Sequence, residues 1–485
     1  MANLKALFKD TVIYGLSSIV GRFLNYLLVP LYTASLSAAS GGYGIITNIY
    51  SYTALLLVIL TFGMETTFFR FVNKEGADVR RVYSTTLIAV GVVGLLFLVL
   101  VFAFLSPIAS ALHYSDTPQY VAVMAVCVAF DAFQCIPFAY LRYQRRPIKF
   151  AALKLLFITM NIALNITYFV VLPRFYHYRF DVGWVFYINL GCTLVMTLFF
   201  WKELTGFRWT LDRALLRRML SYSWPILVLG IAGILNQTAD KIIYPLVRSG
   251  ASGQMELGIY GACVKVAMIM AMITQAFRYA YEPFVFGSSR DRNNREGLAS
   301  AMKYFLIFTL LAFLMVIAFL DVLKYIIAPD YWAGLRVVPI VMAAEIMMGV
   351  YFNLSFWYKL IDKTIWGAWF SGAGCVVLVL SNLLFIPRYG YMACAWSGVA
   401  GYGVAMILSY VVGQKKYPIR YPLRDIGRYV LLAAVLLVGM LCVPDGWHAL
   451  LRLAVKVVLL SLFVVYIVRH DFPLRRLPVV GKYFR

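Results

Sequence analysis

Residues 83–105 read YSTTLIAVGVVGLLFLVLVFAFL, and no charged side chain interrupts them. A helix needs about 20 apolar residues to cross about 30 Å of hydrocarbon, so this run predicts a membrane-spanning helix. Similar runs predict further spans at residues 11–33, 43–71, 118–141, 149–172, 182–201, 220–247, 257–286, 300–320, 334–358, 365–386, 392–412, 426–443 and 449–468. Across the chain 62% of residues are hydrophobic and 13% are charged, against about 45–50% and about 25% in soluble domains. The sequence therefore predicts an all-α polytopic membrane protein with about 14 transmembrane helices.

The net charge of +23 is explained by membrane topology. Lys5 and Lys9 begin the chain without a cleavable signal pattern, which predicts a cytoplasmic N-terminus. When the spans then alternate, most of the 44 Lys and Arg residues fall in cytoplasmic segments, as the positive-inside rule requires. We therefore expect both termini in the cytoplasm, basic loops that face anionic membrane lipids, and no nucleic-acid partner.

The residues that could carry catalysis or hold a metal lack the necessary spacing. The seven cysteines contain no CxxC pair, and the four histidines do not have the spacing of zinc ligands. The loops are short and contain no glycine-rich nucleotide motif. The sequence therefore predicts no catalytic residues, no metal site and no cofactor, and it argues against a membrane enzyme.

The first six predicted spans and the next six echo each other at a spacing of about 215 residues. Four pairs of positions match in order: Pro30 with Pro245, Tyr43-Gly44 with Tyr260-Gly261, Asp131 with Glu345, and Pro173-Arg174-Phe175 with Pro387-Arg388-Tyr389. Because six is an even number, both halves begin in the cytoplasm and are parallel repeats. We expect an N-terminal six-helix lobe at 1–218, a C-terminal six-helix lobe at 219–418, and two additional helices with a basic cytoplasmic tail at 419–485. The substrate site is expected in a central cavity between the lobes.

Charged side chains interrupt several of the predicted spans. A charge at mid-membrane costs roughly 2.5–3.5 kcal/mol and usually faces a bundle interior or a water-filled path. The cations are Arg22, Arg70, Lys154, Lys241, Lys265, Arg278, Arg452 and Lys456, and the acids at similar depth are Asp131, Asp240 and Glu345. This excess of positive charge favours an anionic substrate over an organic cation.

Several motifs resemble a known family. They are YGLSSIVGRFLN at 14–25, PLYT at 30–33, YG at 43–44, FGMETTFFRF at 62–71 and PRYGYMACAW at 387–396. Together they resemble the bacterial O-antigen and capsule oligosaccharide flippases of the multidrug/oligosaccharidyl-lipid/polysaccharide exporter superfamily. The similarity covers about residues 1–415 and extends less clearly over the remainder.

The resemblance implies twelve to fourteen helices in two lobes around a central cavity, in the bacterial inner membrane. It implies alternating-access transport of an undecaprenyl-diphosphate-linked oligosaccharide to the periplasmic leaflet, for cell-surface polysaccharide biosynthesis. It also implies a monomer that works with membrane lipids and polysaccharide-assembly proteins. The alternatives are a lipid II flippase, a multidrug or cation exporter of the same superfamily, a polysaccharide polymerase or ligase, and a scaffold without transport activity.

The diphosphate of such a substrate needs cationic donors, because Arg and Lys satisfy phosphate oxygens. We expect it to be bound by Arg22, Asn25, Lys241, Lys265 and Arg278. Arg22 and Asn25 share one helix face with Gly15 and Ser18. The alternatives are structural: Arg22 pairs with a buried acid, Arg278 pairs with Glu282, and Asp240 is neutralised by Arg22 or Lys265.

The mid-membrane acids Asp131, Asp240 and Glu345 could couple transport to H⁺ or Na⁺, or could be counter-charges for the cations. Glu65, Arg70 and Glu282 lie toward cytoplasmic span ends, and we expect them at an inner gate or as interfacial anchors. Lys154 is expected at a cytoplasmic helix end. For Arg452 and Lys456 we expect a peripheral position facing lipid, the polyprenyl chain or a partner, with their charges reaching the interface.

Overall fold

The protein is described by a computed structural model. It covers residues 24, 26–74, 76, 78–176, 180–205, 209–287, 294–361, 363–444 and 446–471, without the side chains of 279–287 and 294. Within these ranges every regular element is a helix, mostly α with short 3-10 and π segments. The predicted all-α class is confirmed.

The chain forms two compact units, and the first runs to Ala262 and also includes Cys375–Ser397. Its helices are α1 (Leu28–Ser35), α2 (Gly42–Thr61), α3 (Met64–Val72), α4 (Val79–Ala103), α5 (Leu105–Ala111), α6 (Pro118–Tyr143), α7 (Pro147–Ile166), α8 (Gly183–Phe199), α9 (Trp201–Leu204), α10 (Arg213–Val247) and the first part of α11 (Ala251–Gly287). The π segment Thr167–Val171 and the 3-10 turn Leu172–Arg174 extend α7. The predicted lobe boundary at residue 218 falls inside α10.

The second unit contains Cys263–Gly374 and the chain from Gly398 onward. Its helices are the remainder of α11, α12 (Asn294–Ala318), α13 (Leu320–Leu323), α14 (Val338–Leu354), α15 (Phe356–Leu360), α16 (Ile365–Tyr389), α17 (Tyr391–Lys416), α18 (Leu423–Leu441) and α19 (Ala449–His470). The 3-10 segments Lys324–Ile326 and Pro329–Val337 lead into α14. The end of α16 and the start of α17 belong to the first unit.

Eleven helices in the described ranges are long and apolar enough to cross a membrane, and each corresponds to a predicted span. Of the other three predicted spans, α8 is apolar but shorter. Helix α18 carries Arg424, Asp425 and Arg428 in its first turns. The predicted span 11–33 lies mostly outside the described residues.

Local sequence explains where several helices begin. Asp78 precedes α4, and its carboxylate accepts hydrogen bonds from the backbone N–H groups of Arg80 and Arg81. Pro118 and Pro147 stand at the first positions of α6 and α7, where the missing N–H of proline costs nothing. Inside the first unit, α2, α3, α4 and α6 then bury an apolar core around Phe68.

The predicted span 43–71 is broken in the structure, which is a correction to the continuous helix expected. Phe62 has φ 50° and Gly63 has φ 65°, so two successive residues are left-handed and separate α2 from α3. Glycine adopts this conformation freely, whereas a bulky residue there is uncommon. A Cβ on Gly63 would lie 2.9 Å from Cγ2 of Ile226, so α10 packs directly against the break.

The two C-terminal helices, α18 and α19, are joined by ion pairs to α12 and to the short helix α13 that follows it. At one end, Lys303 of α12 forms ion pairs with Asp425 and Asp471. At the other end, Asp321 forms ion pairs with Arg452 and Lys456 of α19. Arg452 and Lys456 therefore share one acid of the same unit, and their expected role toward lipid or a partner stays a prediction.

Candidate functional site

Asp240 and Lys241 are neighbours on α10, where helix periodicity turns successive side chains about 100° apart. The structure joins them: Lys241 Nζ lies 3.0 Å from both carboxylate oxygens of Asp240. The Tyr260 hydroxyl donates to the same carboxylate at 2.7 Å. Among the residues described, the counter-charge of Asp240 is therefore its own neighbour, where we had considered Arg22 or Lys265.

Three more polar side chains extend this group into a network between helices. Asn48 of α2 donates from Nδ2 to the backbone carbonyl of Lys241 at 2.8 Å. The Tyr114 hydroxyl donates to Oδ1 of Asn48 at 2.8 Å, and Nε2 of Gln254 donates to the Tyr114 hydroxyl at 3.4 Å. We call Asn48, Tyr114, Asp240, Lys241, Gln254 and Tyr260 the polar network. It links α2, α10 and α11 at the ends that the predicted topology places outside the cell.

Beside the polar network, α2 and α11 touch through glycines. A Cβ on Gly44 would lie 1.9 Å from the carbonyl oxygen of Gln254, and one on Gly258 would lie 3.0 Å from the backbone nitrogen of Gly44. A Cβ on Gly261 would lie 2.6 Å from Oγ1 of Thr47. Gly44 and Gly261 are a matched pair of the predicted repeat, so the second helix of each predicted half meets its counterpart here.

An ionic group lies at the same end of α10. Arg248 Nη1 is 2.9 Å from a carboxylate oxygen of Glu256, and the Tyr244 hydroxyl donates to that carboxylate as well. Arg248 Nη2 also donates to the carbonyl of Pro387 on α16 at 3.2 Å. The start of α11 and the end of α16 are thereby tied to α10.

Asp131 lies on α6 in a second polar group of the first unit. Thr193 of α8 donates to its carboxylate at 3.2 Å. Lys154 of α7 interacts electrostatically with Asp131, and its ammonium lies 4.1 Å from the ring centroid of Phe138. Lys154 was expected at a cytoplasmic helix end, but it lies two turns into α7 with its charge directed toward α6. Among the described residues, Lys154 is therefore the cation that Asp131 balances.

The predicted gate residues Glu65 and Arg70 both lie on α3 and contact different partners. Arg142 of α6 forms an ion pair with Glu65. The guanidinium of Arg70 lies 4.0 Å from the ring centroid of Tyr222 on α10. Together they tie α3, which follows the helix break, to the helices on either side.

The remaining predicted residues belong to the second unit or lie outside the described residues. Lys265 and Arg278 lie on the part of α11 that belongs to the second unit, and Glu345 lies on α14 of that unit. The guanidinium of Arg278 lies 4.5 Å from the ring centroid of Phe352. Arg22, Asn25 and the side chain of Glu282 lie outside the described residues.

Sequence reasoning missed Asn48, Tyr114 and Gln254, which carry the interhelical bonds of the polar network. None is charged, so a search for mid-membrane charges passes over them. The matched Tyr43-Gly44 and Tyr260-Gly261 pairs were the available signal, since they mark where the two predicted halves correspond and where α2 and α11 meet.

The first unit also contains an apolar cavity of about 300 Å³ between α2, α4, α5 and α6. It is lined by Ile49, Tyr52, Thr53, Leu55, Leu56, Phe97, Val101, Ile108, Leu112, Tyr114, Val121, Met124 and Ala125. Its lining offers almost no polar groups to a diphosphate or a sugar, so it is not the predicted headgroup cavity. In the part of the chain that is described, no cluster of His, Cys, Asp or Glu could hold a metal ion.

Comparison with known proteins adds a family and a fold. The family model described as "Polysaccharide biosynthesis protein" matches residues 39–333, more than half of the chain. No curated protein sequence matches the chain.

Among solved structures, the lipid II flippase MurJ in an inward closed conformation aligns with a TM-score of 0.75 at 12% identity, covering 94% of this chain and 99% of that one. An inward-facing multidrug resistance MATE family transporter of the MOP superfamily aligns with a TM-score of 0.63 at 15% identity, covering 81% and 93%. The MATE multidrug transporter DinF-BH aligns with a TM-score of 0.56 at 15% identity, covering 85% and 96%.

The chain therefore has the fold of these transporters, which match it over nearly their whole length, as expected from the predicted superfamily. Identities of 12% and 15% show a shared fold only. The family match rests on the sequence itself and therefore shows the family. This chain is a member of the polysaccharide biosynthesis protein family, with the fold of the MOP exporter superfamily.

Proposed function

We propose that this protein is a flippase that moves an undecaprenyl-diphosphate-linked oligosaccharide from the cytoplasmic to the periplasmic leaflet of the bacterial inner membrane. The observation that carries the proposal is the polysaccharide biosynthesis family match on a chain whose fold follows a lipid II flippase over 94% of its length. The polyprenyl tail stays in lipid during this reaction, so the protein has to shelter only the diphosphate and the sugars. No covalent bond changes, and the protein is not an enzyme in this proposal.

The diphosphate is bound by mid-membrane cations in this mechanism. Lys241, Lys265 and Arg278, with Arg22 and Asn25, are the proposed ligands. Lys241 is paired with Asp240 in the present structure, so the diphosphate would have to replace this carboxylate as its partner. Tyr260 donates to Asp240 independently of Lys241, and this bond would keep the released carboxylate partly satisfied.

Alternating access in this proposal requires the outer ends of α2 and α11 to separate. In the present structure they touch through Gly44 and Gly258, beside the polar network. These contacts are polar or between small residues, so their separation exposes little apolar surface to water. That favours a contact that opens and closes over a permanent one.

Coupling to an ion gradient is proposed to use Asp131, Asp240 or Glu345. A carboxylate held away from water can take up a proton or bind Na⁺. Asp131 already interacts with Lys154 and Thr193, so protonation there would weaken a link between α6 and its neighbours α7 and α8.

A multidrug or cation exporter is the second candidate, and the MATE-like fold favours it. Its substrate would need unpaired acids. Asp240 is instead bound by Lys241 and Tyr260, which argues against a cation site at that position.

The direct test is translocation of a fluorescent lipid-diphosphate oligosaccharide in proteoliposomes. Arg22→Ala and Lys265→Ala should each slow translocation about tenfold or more, because a charge-assisted hydrogen bond to phosphate is worth about 1.5–3 kcal/mol. Arg469→Ala, in the last turn of α19, is the matched control and should translocate normally. Wild-type rates for both cavity variants would refute the diphosphate assignment.

Two further arms separate the remaining alternatives. Transport of an organic cation but not of the lipid would favour the exporter. Translocation that is unchanged after both proton and Na⁺ gradients are collapsed would remove Asp131, Asp240 and Glu345 from the coupling proposal.

A further inference from the structure

Three cations of the second unit converge on one carboxylate. Lys456 Nζ lies 2.8 Å from Oδ2 of Asp321, and Arg452 Nη2 lies 3.6 Å from Oδ1. Lys324, one turn after Asp321, places its ammonium 3.9 Å from Oδ1. The side chains of Arg452 and Lys456 are each 12% exposed and that of Lys324 is 19% exposed. We call these four residues the cationic cluster.

The cationic cluster carries more positive charge than its carboxylate can neutralise. Even without Arg452, the two lysines share a single acid, so at least one positive charge is left over. Largely buried charges of one sign repel each other more strongly than they would in water, because the local dielectric is lower. An anion bound beside Asp321 would relieve this repulsion.

The position of the cationic cluster matches the depth of lipid phosphates. Lys324 lies between two spans, and Arg452 and Lys456 lie in the first two turns of the span that begins at Ala449. The headgroup region starts where the hydrocarbon ends, within about 5–8 Å of such helix ends. The Lys324 ammonium also lies 4.6 Å from the ring centroid of Trp332, and tryptophan is enriched at this level of the membrane.

Apolar side chains beside the cationic cluster are open to lipid. Val322 is 53% exposed and Tyr325 is 72% exposed, and both belong to the same short segment as Asp321 and Lys324. A lipid whose phosphate contacts the lysines could therefore lay its chains along these residues. A free inorganic anion would gain nothing from this apolar surface.

We propose that the cationic cluster binds the phosphate of an anionic membrane lipid at the junction of α12, α13 and α19. Basic pockets between transmembrane helices are a recognised arrangement for anionic lipid headgroups. The predicted topology places this junction on the external side, away from the cytoplasmic basic loops. The cationic cluster shares no residue with the proposed diphosphate ligands, and the proposal does not depend on the flippase function.

The test is native mass spectrometry of the purified full-length protein with phosphatidylglycerol, together with the shift in melting temperature that this lipid causes. Wild-type protein should retain phosphatidylglycerol in preference to phosphatidylcholine. The double variant Lys324→Gln/Lys456→Gln should lose about tenfold in phosphatidylglycerol affinity, corresponding to the loss of a charge-assisted contact. Arg469→Gln removes a charge from the other end of α19 and should bind like wild type.

Asp321→Asn separates lipid binding from a purely structural role. It removes the competing carboxylate and keeps all three cations, so it should bind phosphatidylglycerol more tightly than wild type. Weaker or unchanged binding in Asp321→Asn would refute the proposal, even if the lysine variants are unstable. Stabilisation by inorganic phosphate equal to that by phosphatidylglycerol would refute the assignment to a lipid.

Discussion

The charged pair of Asp240 and Lys241 decides how the polar network is held together. The Asp240 side chain is 12% exposed and that of Lys241 is 17% exposed, so neither charge is well hydrated. The pair is surrounded by neutral donors and acceptors, namely the Tyr260 hydroxyl and the Asn48 amide. Under these conditions removing one charge is more damaging than removing both, because the remaining charge stays buried without a partner.

This reasoning gives a prediction for a double-mutant cycle. Asp240→Asn should lower the free energy of unfolding by about 3–5 kcal/mol, since it leaves Lys241 uncompensated. Asp240→Asn/Lys241→Met should be clearly more stable than the single variant. The measurement is denaturant or thermal unfolding in detergent, with Tyr260→Phe as the control that removes one neutral hydrogen-bond donor and should cost about 1 kcal/mol. A double variant less stable than Asp240→Asn would mean that the charges do not act as a pair.

For single residues, the sequence predicted which charged side chains lie deep in apolar runs, but it did not predict their ion-pair partners. Asp131, Asp240, Lys154 and Lys241 were all identified from their depth in apolar runs. Their pairing depends on side-chain paths and on interhelical packing, which a one-dimensional pattern does not contain. Lys241 bends back to its neighbour in the chain, a geometry that helix periodicity alone argues against.

At the scale of the helices, glycines allow α2 and α11 to approach each other closely. Gly44 of α2 faces the carbonyl of Gln254 on α11 so closely that no side chain fits between them. Small residues allow membrane helices to pack backbone to backbone. The glycine contact and the polar network lie side by side, so any side chain that parts the two helices also strains the bonds of Asn48 and Tyr114.

Gly44→Ala should therefore push α2 and α11 apart at their outer ends. The added Cβ would lie 1.9 Å from the Gln254 oxygen, and a carbon needs about 3.5 Å. Spin labels on Ser40→Cys and Ser252→Cys, two exposed positions beside this contact, should show a longer mean distance in Gly44→Ala. The exposed native thiol of Cys442 is first replaced by serine.

Gly191→Ala is the matched control for this measurement. A Cβ on Gly191 meets nothing within 4 Å, so the label distance should be unchanged. An unchanged distance in Gly44→Ala as well would show that the contact has room to adjust, and that it does not hold the outer ends together.

The sequence predicted most helices because the length and apolar composition of a run are enough to identify a membrane-spanning helix. Eleven predicted spans match helices that are long and apolar enough. The break at Phe62 and Gly63 was not predicted, since the apolar run continues across it without a proline. At the break α10 packs against Gly63, and an apolar pattern does not contain such a contact between distant segments.

For the molecule as a whole, the main result is where the C-terminal helices belong. We expected two additional helices after two six-helix lobes, and α18 and α19 belong to the second compact unit. Ion pairs join them to α12 through Lys303 and to α13 through Asp321. The predicted two-lobe repeat remains a prediction, because the compact units divide the chain at different positions.

These ion pairs give the stability of the second unit a defined pH dependence. Burial alone would raise the pKa of Asp321, but Lys456, Arg452 and Lys324 outweigh it and hold that pKa below its ordinary value of 3.8. Burial would likewise raise the pKa of Asp471, but Lys303 and Tyr429 outweigh it and hold that pKa below 3.8. A carboxyl with a lowered pKa stabilises the fold fully above its unfolded value, and this contribution is lost as the pH falls through the folded value.

Above about pH 5 both carboxyls stay ionised, so the melting temperature in detergent should change little with pH. Below about pH 4 they become protonated, and the melting temperature should fall steeply. Asp321→Asn/Asp471→Asn should melt lower than wild type at neutral pH and show a shallower fall in acid, because neither side chain can then be protonated. Asp116→Asn, which removes an exposed carboxyl of the first unit, should keep the wild-type profile. If the double variant keeps the full acid-induced fall, carboxyls elsewhere in the chain govern it, and these ion pairs do not limit the stability of the second unit.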